Sequence, residues 1–168
     1  MKIILCPNPF RDKGLKAAYQ AQRILSAAGA KTEYCFPFPV EKSNIGDIDP
    51  SIKIKEMKTE LPDADFLVCF GGDGTILHAA KDASSFGVPI VGVNMGSVGF
   101  MAELEQGELS DLTRLVSGEY TLENRMLLDV RVIREGRVIF RSTALNDAVI
   151  TKGAVARVID LQVYGDKV

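Results

Sequence analysis

Five apolar residues in a row, Phe66-Leu67-Val68-Cys69-Phe70, run straight into Gly71-Gly72-Asp73-Gly74-Thr75. An unbroken apolar run of this length is what a strand buried on both faces of a parallel sheet requires, because crossover helices cover either side. The glycines end the strand, and the segment from Thr75 to Ser85 that follows has helical character. A buried strand, a tight turn and a helix in that order restrict the chain to the α/β class.

The flanking sequence repeats the unit. Lys2 to Cys6 is a short apolar run closed by Pro7-Asn8-Pro9, and reads as a strand. Leu15, Ala18, Tyr19, Leu25 and Ala28 recur at helical spacing, with Gly29 as a stop. Thr32 to Phe36 and Val88 to Val93 read as further strands, and Leu104 to Val116 as a helix ending near Gly118. Residues 41 to 60 are polar, with a helix expected from about Pro50 to Glu60. After Gly118 the texture changes. Leu127 to Ile133 and Val138 to Phe140 are β-rich and flank Arg134-Glu135-Gly136-Arg137, the pattern of a hairpin. Ala148 to Thr151 and Arg157 to Tyr164 are expected to be strands. The expected architecture is a Rossmann-like α/β parallel sheet domain over residues 1–118, followed by the start of an antiparallel β domain over 119–168.

Composition narrows the partners. The chain has 168 residues, 46% of them hydrophobic, which suffices for a packed core and excludes global disorder. With 20 basic and 22 acidic side chains the formal net charge is −2, without the basic excess of a nucleic-acid binder. No apolar run approaches the ~18 residues of a membrane span, and Met1 to Pro7 is too short for a signal-peptide core. Cys6, Cys35 and Cys69 are odd in number, lack C-x-x-C spacing and sit in or beside apolar runs, which suits buried thiols in a reducing, cytoplasmic setting.

The chemistry lies in the turns. Glycines between a strand and a helix let a ligand approach the backbone or permit positive φ, and the helix N-terminus offers free N–H groups to an anion such as phosphate. Asp73 repels phosphate itself, so it caps the helix, holds a bridging metal ion, or takes a proton from an attacking hydroxyl. The turn has neither the Walker A pattern nor G-x-G-x-x-G spacing. A second glycine-rich segment, Gly92-Val93-Asn94-Met95-Gly96-Ser97-Val98-Gly99-Phe100, also follows a buried strand. Two such turns at one sheet edge would wall a nucleotide cleft. Phe100 would stack on a base or ribose, or pack into the core. His78, the only histidine, lies about one turn into the helix after Asp73, either on a solvated face or against phosphate.

Four segments together resemble the NAD kinase family: Phe70-Gly71-Gly72-Asp73-Gly74-Thr75-Ile76-Leu77; Gly92 through Phe100 with Met101-Ala102-Glu103; Glu123-Asn124-Arg125-Met126-Leu127-Leu128; and Ala144-Leu145-Asn146-Asp147-Ala148-Val149-Ile150. The first alone is shared with lipid kinases and phosphofructokinases; the second and fourth, in this order, make the match specific. The resemblance implies transfer of the γ-phosphoryl group of ATP to the 2′-hydroxyl of the adenosine ribose of NAD. It implies Mg²⁺ or another divalent cation, for which the sequence assigns no protein ligand. Asp73 would be the general base, Gly74 a dinucleotide contact and Phe100 part of the adenosine pocket. Asn146 and Asp147 would hold the ribose and adenine side, with Asp147 standing where the family usually has Glu. Arg157 would be a further dinucleotide contact, or an exposed strand residue. The resemblance also implies homo-oligomers, and a Thr/Ser/Gly-rich segment that completes the dinucleotide site. The chain stops at Asp166-Lys167-Val168 before such a segment, so the expectation is the N-terminal portion of such a kinase. Two alternatives stay open: a nucleotide-binding fragment without turnover, and a lipid or sugar kinase built on the same Gly-Gly-Asp-Gly turn.

Overall fold

The computed structural model describes residues 1–41, 48–96, 99–151 and 161–165. Strands β1 (Lys2–Pro7), β2 (Lys31–Cys35), β3 (Ile54–Lys55), β4 (Phe66–Gly71), β5 (Ile90–Asn94) and β6 (Leu104–Glu105) form one sheet in the order β3-β2-β1-β4-β5-β6. Every pairing is parallel. The chain runs outward from β1 through β2 and β3, then returns to β4 and runs outward the other way. This is the doubly wound order, with its topological switch between β1 and β4. Helices α1 (Lys16–Ala27), α2 (Met57–Glu60), α3 (Asp73–Phe86) and α4 (Thr113–Ser117) complete it.

Alternation along the strands divides the core into two halves. Ile3, Leu5, Val68, Phe70 and Val93 face α1 and Leu109, Leu112 and Leu115. Ile4, Cys6, Cys35, Leu67 and Cys69 face the opposite way, against Met57, Leu61 and the Ile76-Ala79-Ala83 stripe of α3. Both faces of β4 are therefore buried, as its apolar run predicts. Each fully buried side chain of this size is worth about 1.5–3 kcal/mol. The three cysteines are buried and free and lie on the α3 side. Burial pushes the Cys35 thiol up to about 12 and the Cys6 thiol well above its ordinary value.

Several expectations are corrected. The helix expected from Pro50 to Glu60 exists only as the single turn of α2; Ile54 and Lys55 instead extend beside Tyr34 and Cys35, and the Lys55 ammonium lies 2.9 Å from the Glu33 carboxylate. Edge pairing and an ion pair outweigh the local helical tendency. The helix expected from Leu104 to Val116 is replaced by β6, a 3-10 stretch over Gln106–Leu112 and the short α4. Leu109, Leu112 and Leu115 still face the core, because their spacing of three suits a 3-10 turn as well as an α-helix. Gly118 ends this region at φ 79°.

Beyond it, β7 (Leu128–Arg134) and β8 (Arg137–Ala144) pair antiparallel, as the sequence predicts. Glu135 and Gly136 both take positive φ, which fits the strand twist. Ala148 to Thr151 is irregular rather than a strand, as are residues 161–164, while the remainder of the Arg157–Tyr164 expectation lies outside the described residues. No described helix is long and apolar enough to cross a membrane.

Candidate functional site

In a parallel sheet all strands end at one edge, so the segments after β1, β4 and β5 are neighbours. Between β1 and β4 the gap is closed by the chain itself. The Asn8 backbone N–H donates to the Phe70 carbonyl at 2.9 Å, and its side-chain amide donates to Thr75 Oγ1 at 3.0 Å. Gly71 makes room for this bond, since a Cβ there would fall 2.2 Å from Thr75 Oγ1. Helix α1 is closed too. The Asp12 carboxylate, 2% exposed, accepts the N–H groups of Ala17 and Ala18 at 3.0 and 2.9 Å. The N-terminus of α1 is thus neutralised from within.

The N-terminus of α3 is different. No side chain caps it, and the Asp73 and Gly74 N–H groups precede the first turn bond, which the Thr75 N–H makes to the Gly72 carbonyl at 2.8 Å. A Cβ placed on Gly72 or Gly74 would meet nothing within 4 Å, so the turn is open on its outer side. None of Gly71, Gly72 and Gly74 takes positive φ; the glycines serve close approach rather than a left-handed turn.

Asp73 is the first residue of α3 and does not cap it. Its carboxylate reaches across to the second glycine-rich segment, where Oδ1 accepts the Met101 N–H at 3.1 Å and Oδ2 the Phe100 N–H at 3.3 Å. The two glycine-rich turns therefore meet, with the carboxylate as the joint. Phe100 does not pack into the core: it is 89% exposed.

The four sequence segments meet in two clefts, the second of which reaches this joint through Met101. One cleft, of about 260 Å³, is lined by Leu77, His78, Lys81, Leu145, Asn146 and Asp147. A second, of about 350 Å³, is lined by Met101, Glu123, Arg125, Met126 and Asn146. Asn146 borders both and donates its side-chain amide to Asp147 Oδ2 at 3.2 Å. His78 lies on α3, with its ring edge-on to Phe38 at 5.4 Å between centroids. Gly74 is exposed at the helix start. The structure thus brings together Asp73 and Phe100, and separately His78, Asn146 and Asp147; Arg157 lies outside the described residues.

Among the described residues no group of three His, Cys, Asp or Glu side chains forms a metal cage. Asp73 and Glu103 carry carboxylates at the joined turns, Glu103 accepting the Gly92 N–H, and Asp147 carries one in the first cleft.

Comparison with known proteins decides the family. Residues 3–120 match the family described as ATP-NAD kinase N-terminal domain. The chain belongs to the NAD kinase family. The NAD kinase of Acetivibrio thermocellus is 32% identical over 165 residues, covering 98% of this chain and 55% of that protein. The NAD kinase of Syntrophotalea carbinolica is 45% identical over 103 residues, covering 61% of this chain and 36% of that protein. The chain spans about half the length of the NAD kinase relatives that match nearly all of it. Among solved structures, yeast NADH kinase complexed with NADH superposes with a TM-score of 0.66 at 18% identity, over 87% of this chain and 47% of that one. That likeness establishes the fold.

Two polar residues of the sheet edge, Asn8 and Asn94, did not stand out in the sequence. Asn8 was legible only as part of a strand terminator, and Asn94 only as a member of a glycine-rich run. The available signal was position: each is a polar residue at the carboxyl end of a buried strand, where this class of fold builds its sites.

Proposed function

We propose that the protein transfers the γ-phosphoryl group of ATP to the 2′-hydroxyl of the adenosine ribose of NAD, giving NADP and ADP. Family membership supports this reading, and the observation that carries it is the Asp73 carboxylate, held by two backbone N–H groups beside an uncapped helix N-terminus. The ribose oxygen attacks the γ-phosphorus while the bond to the β,γ-bridging oxygen breaks. ADP leaves, and the hydroxyl proton passes to Asp73. An ionised carboxylate has about four lone-pair sites, so accepting two N–H bonds leaves one on each oxygen for that proton.

The other residues take binding roles in this reading. Gly74 lets the dinucleotide approach the start of α3, and Phe100 offers an exposed ring to the adenosine. Asn146 and Asp147 hold the ribose and adenine side, His78 contacts phosphate, and Arg157 contacts the dinucleotide. A divalent cation would enter as a companion of the substrate phosphates, since the described residues form no group of three or more His, Cys, Asp or Glu side chains to hold it alone. Such an ion would neutralise charge on the transferring phosphoryl group. A cytoplasmic homo-oligomer acting on small-molecule nucleotides completes the reading.

The test is Asp73→Asn in the natural polypeptide, with NADP formation followed through a coupled dehydrogenase. The variant is expected to fold and to lose about 10²–10⁴-fold in turnover, the usual worth of general-base catalysis. Undiminished turnover would overturn the role of Asp73. Calorimetry showing ATP and NAD binding without turnover in the unsubstituted protein would replace a kinase with a nucleotide-binding module.

A further inference from the structure

We infer that Asn94 and Glu105 are positioning residues for Asp73: together they fix the path of the loop whose backbone N–H groups hold its carboxylate. The catalytic half of this inference rests on the kinase reading above.

Asn94 ends β5 and is 5% exposed. Its side-chain amide uses both of its polar ends. The NH₂ group donates to Glu105 Oε1 and Oε2 at 3.1 and 3.3 Å, and Oδ1 accepts the Gly96 N–H at 3.0 Å. Glu105 ends β6 and is the parallel register partner of Asn94. Its own N–H donates to the Glu108 carboxylate at 2.8 Å, which anchors it at the start of the next helical turn. The pair thus clips together the two strands from which the second glycine-rich loop departs and to which it returns.

Three further contacts transmit that clip to the site. Gly99 lies so close that a Cβ would stand 3.2 Å from Asn94 Cγ. The Gly92 N–H donates to Glu103 Oε2 at 2.6 Å, and the Glu103 N–H donates to the Gly92 carbonyl at 3.1 Å. Phe100 and Met101, between these fixed points, present their N–H groups to Asp73. The buried Asn94 amide would be costly if left unpaired, and both its ends are met, by the carboxylate of the exposed edge residue Glu105 and by the Gly96 N–H of the loop. A side chain that donates to one strand and accepts from the loop is suited to setting direction.

Polarity reversal tests the idea. Asn94→Asp sets two carboxylates against each other. Adding Glu105→Gln restores one donor and one acceptor with the roles exchanged: the amide introduced at position 105 donates to the carboxylate introduced at position 94. The other oxygen of that carboxylate accepts the Gly96 N–H. The first readout is amide hydrogen exchange at Met101. Asn94→Asp is expected to speed it at least tenfold, Glu105→Gln alone to fall in between, and the double variant to return to within threefold of the unsubstituted chain. The second readout is kinetic. Asn94→Asp is expected to lower kcat for NADP formation at least tenfold while the KM for ATP moves less than threefold, and the double variant to recover kcat. Unchanged exchange in Asn94→Asp, or a double variant no better than the single, overturns the inference. If Asn94→Asp does not fold, the double variant and Gly99→Ala, which displaces the Asn94 amide by a few tenths of an ångström, decide it by the same exchange measurement. Absence of NADP formation by the unsubstituted protein overturns the kinase reading alone, because the exchange result stands without it.

Discussion

Gly92 and Gly72 lie in similar sequence contexts and do different work. A Cβ on Gly92 would fall 2.6 Å from Ile76 Cδ1 and 2.8 Å from the Ala102 backbone, and the backbone cannot yield cheaply. Gly92→Ala is therefore expected to destabilise the fold by about 1–3 kcal/mol, the usual range for overpacking. The same Cβ on Gly72 meets open space at φ −107°, an ordinary value, so Gly72→Ala should stay within about 0.5 kcal/mol of the unsubstituted chain. Urea denaturation separates the two, and equal midpoints would show that Gly92 is not a packing requirement. At this scale the sequence was half legible. Asp73 stood out because a carboxylate among glycines at a strand end has few explanations. That it joins two turns was hidden, since its partners are backbone groups of residues 27 and 28 positions away. Phe100 was ambiguous for a related reason: a lone aromatic is usually buried, and only the tertiary position of its loop leaves it outside.

Helices α1 and α3 follow strands at the same sheet edge, yet only α3 is open to a ligand. Asp12 makes the difference, as its carboxylate is buried against the first turn of α1. Burial raises its pKa above the ordinary 3.8, with the helix N–H groups opposing that shift. The folded chain then holds the proton more tightly than the unfolded chain does. Stability from this group falls as pH rises from about the unfolded value through the raised folded value, and returns on acidification. The stability difference between the unsubstituted chain and Asp12→Asn should accordingly shift in favour of the former as pH is lowered through that window. Denaturation midpoints at several pH values check this; a difference that moves the other way would show that hydrogen bonding to the charged form prevails. The elements themselves were largely legible, because the buried strands β1, β4 and β5 write long apolar runs. The short edge strands β3 and β6 were not. Ile54-Lys55 and Leu104-Glu105 carry no periodicity in two residues, and pairing with a neighbour alone defines them.

Across the whole molecule, burial is uneven. The α/β sheet has a core on each face, whereas the β7–β8 hairpin has none of its own among the described residues. From Leu128 to Val132 its strands alternate, with Leu128, Val130, Val132 and Phe140 on one face and Asp129, Arg131 and Arg141 on the other; a register shift between Val132 and Ile133 breaks the pattern near the turn. The charged face is satisfied, with Asp129 accepting from both arginines. The apolar face is open to solvent, and Phe140 is 55% exposed. This contrast supports dividing the chain near Gly118 into an α/β unit and a β unit, a division we propose on the burial pattern. A lone two-stranded hairpin is marginally stable in water, so its hydrogen bonds should open without global unfolding. Native-state hydrogen exchange measured on the chain is expected to show the amides of β1 and β4, such as Cys6 and Val68, exchanging only at the rate set by global unfolding. The ladder amides of β7 and β8, such as those of the opposed pair Val130 and Ser142, should exchange at least 10²-fold faster. Equal protection in both would mean that the hairpin shares the stability of the sheet, and the division at Gly118 would fail. Where the difference holds, denaturant should leave the hairpin amides nearly unaffected while accelerating those of the sheet, because local opening exposes little new surface.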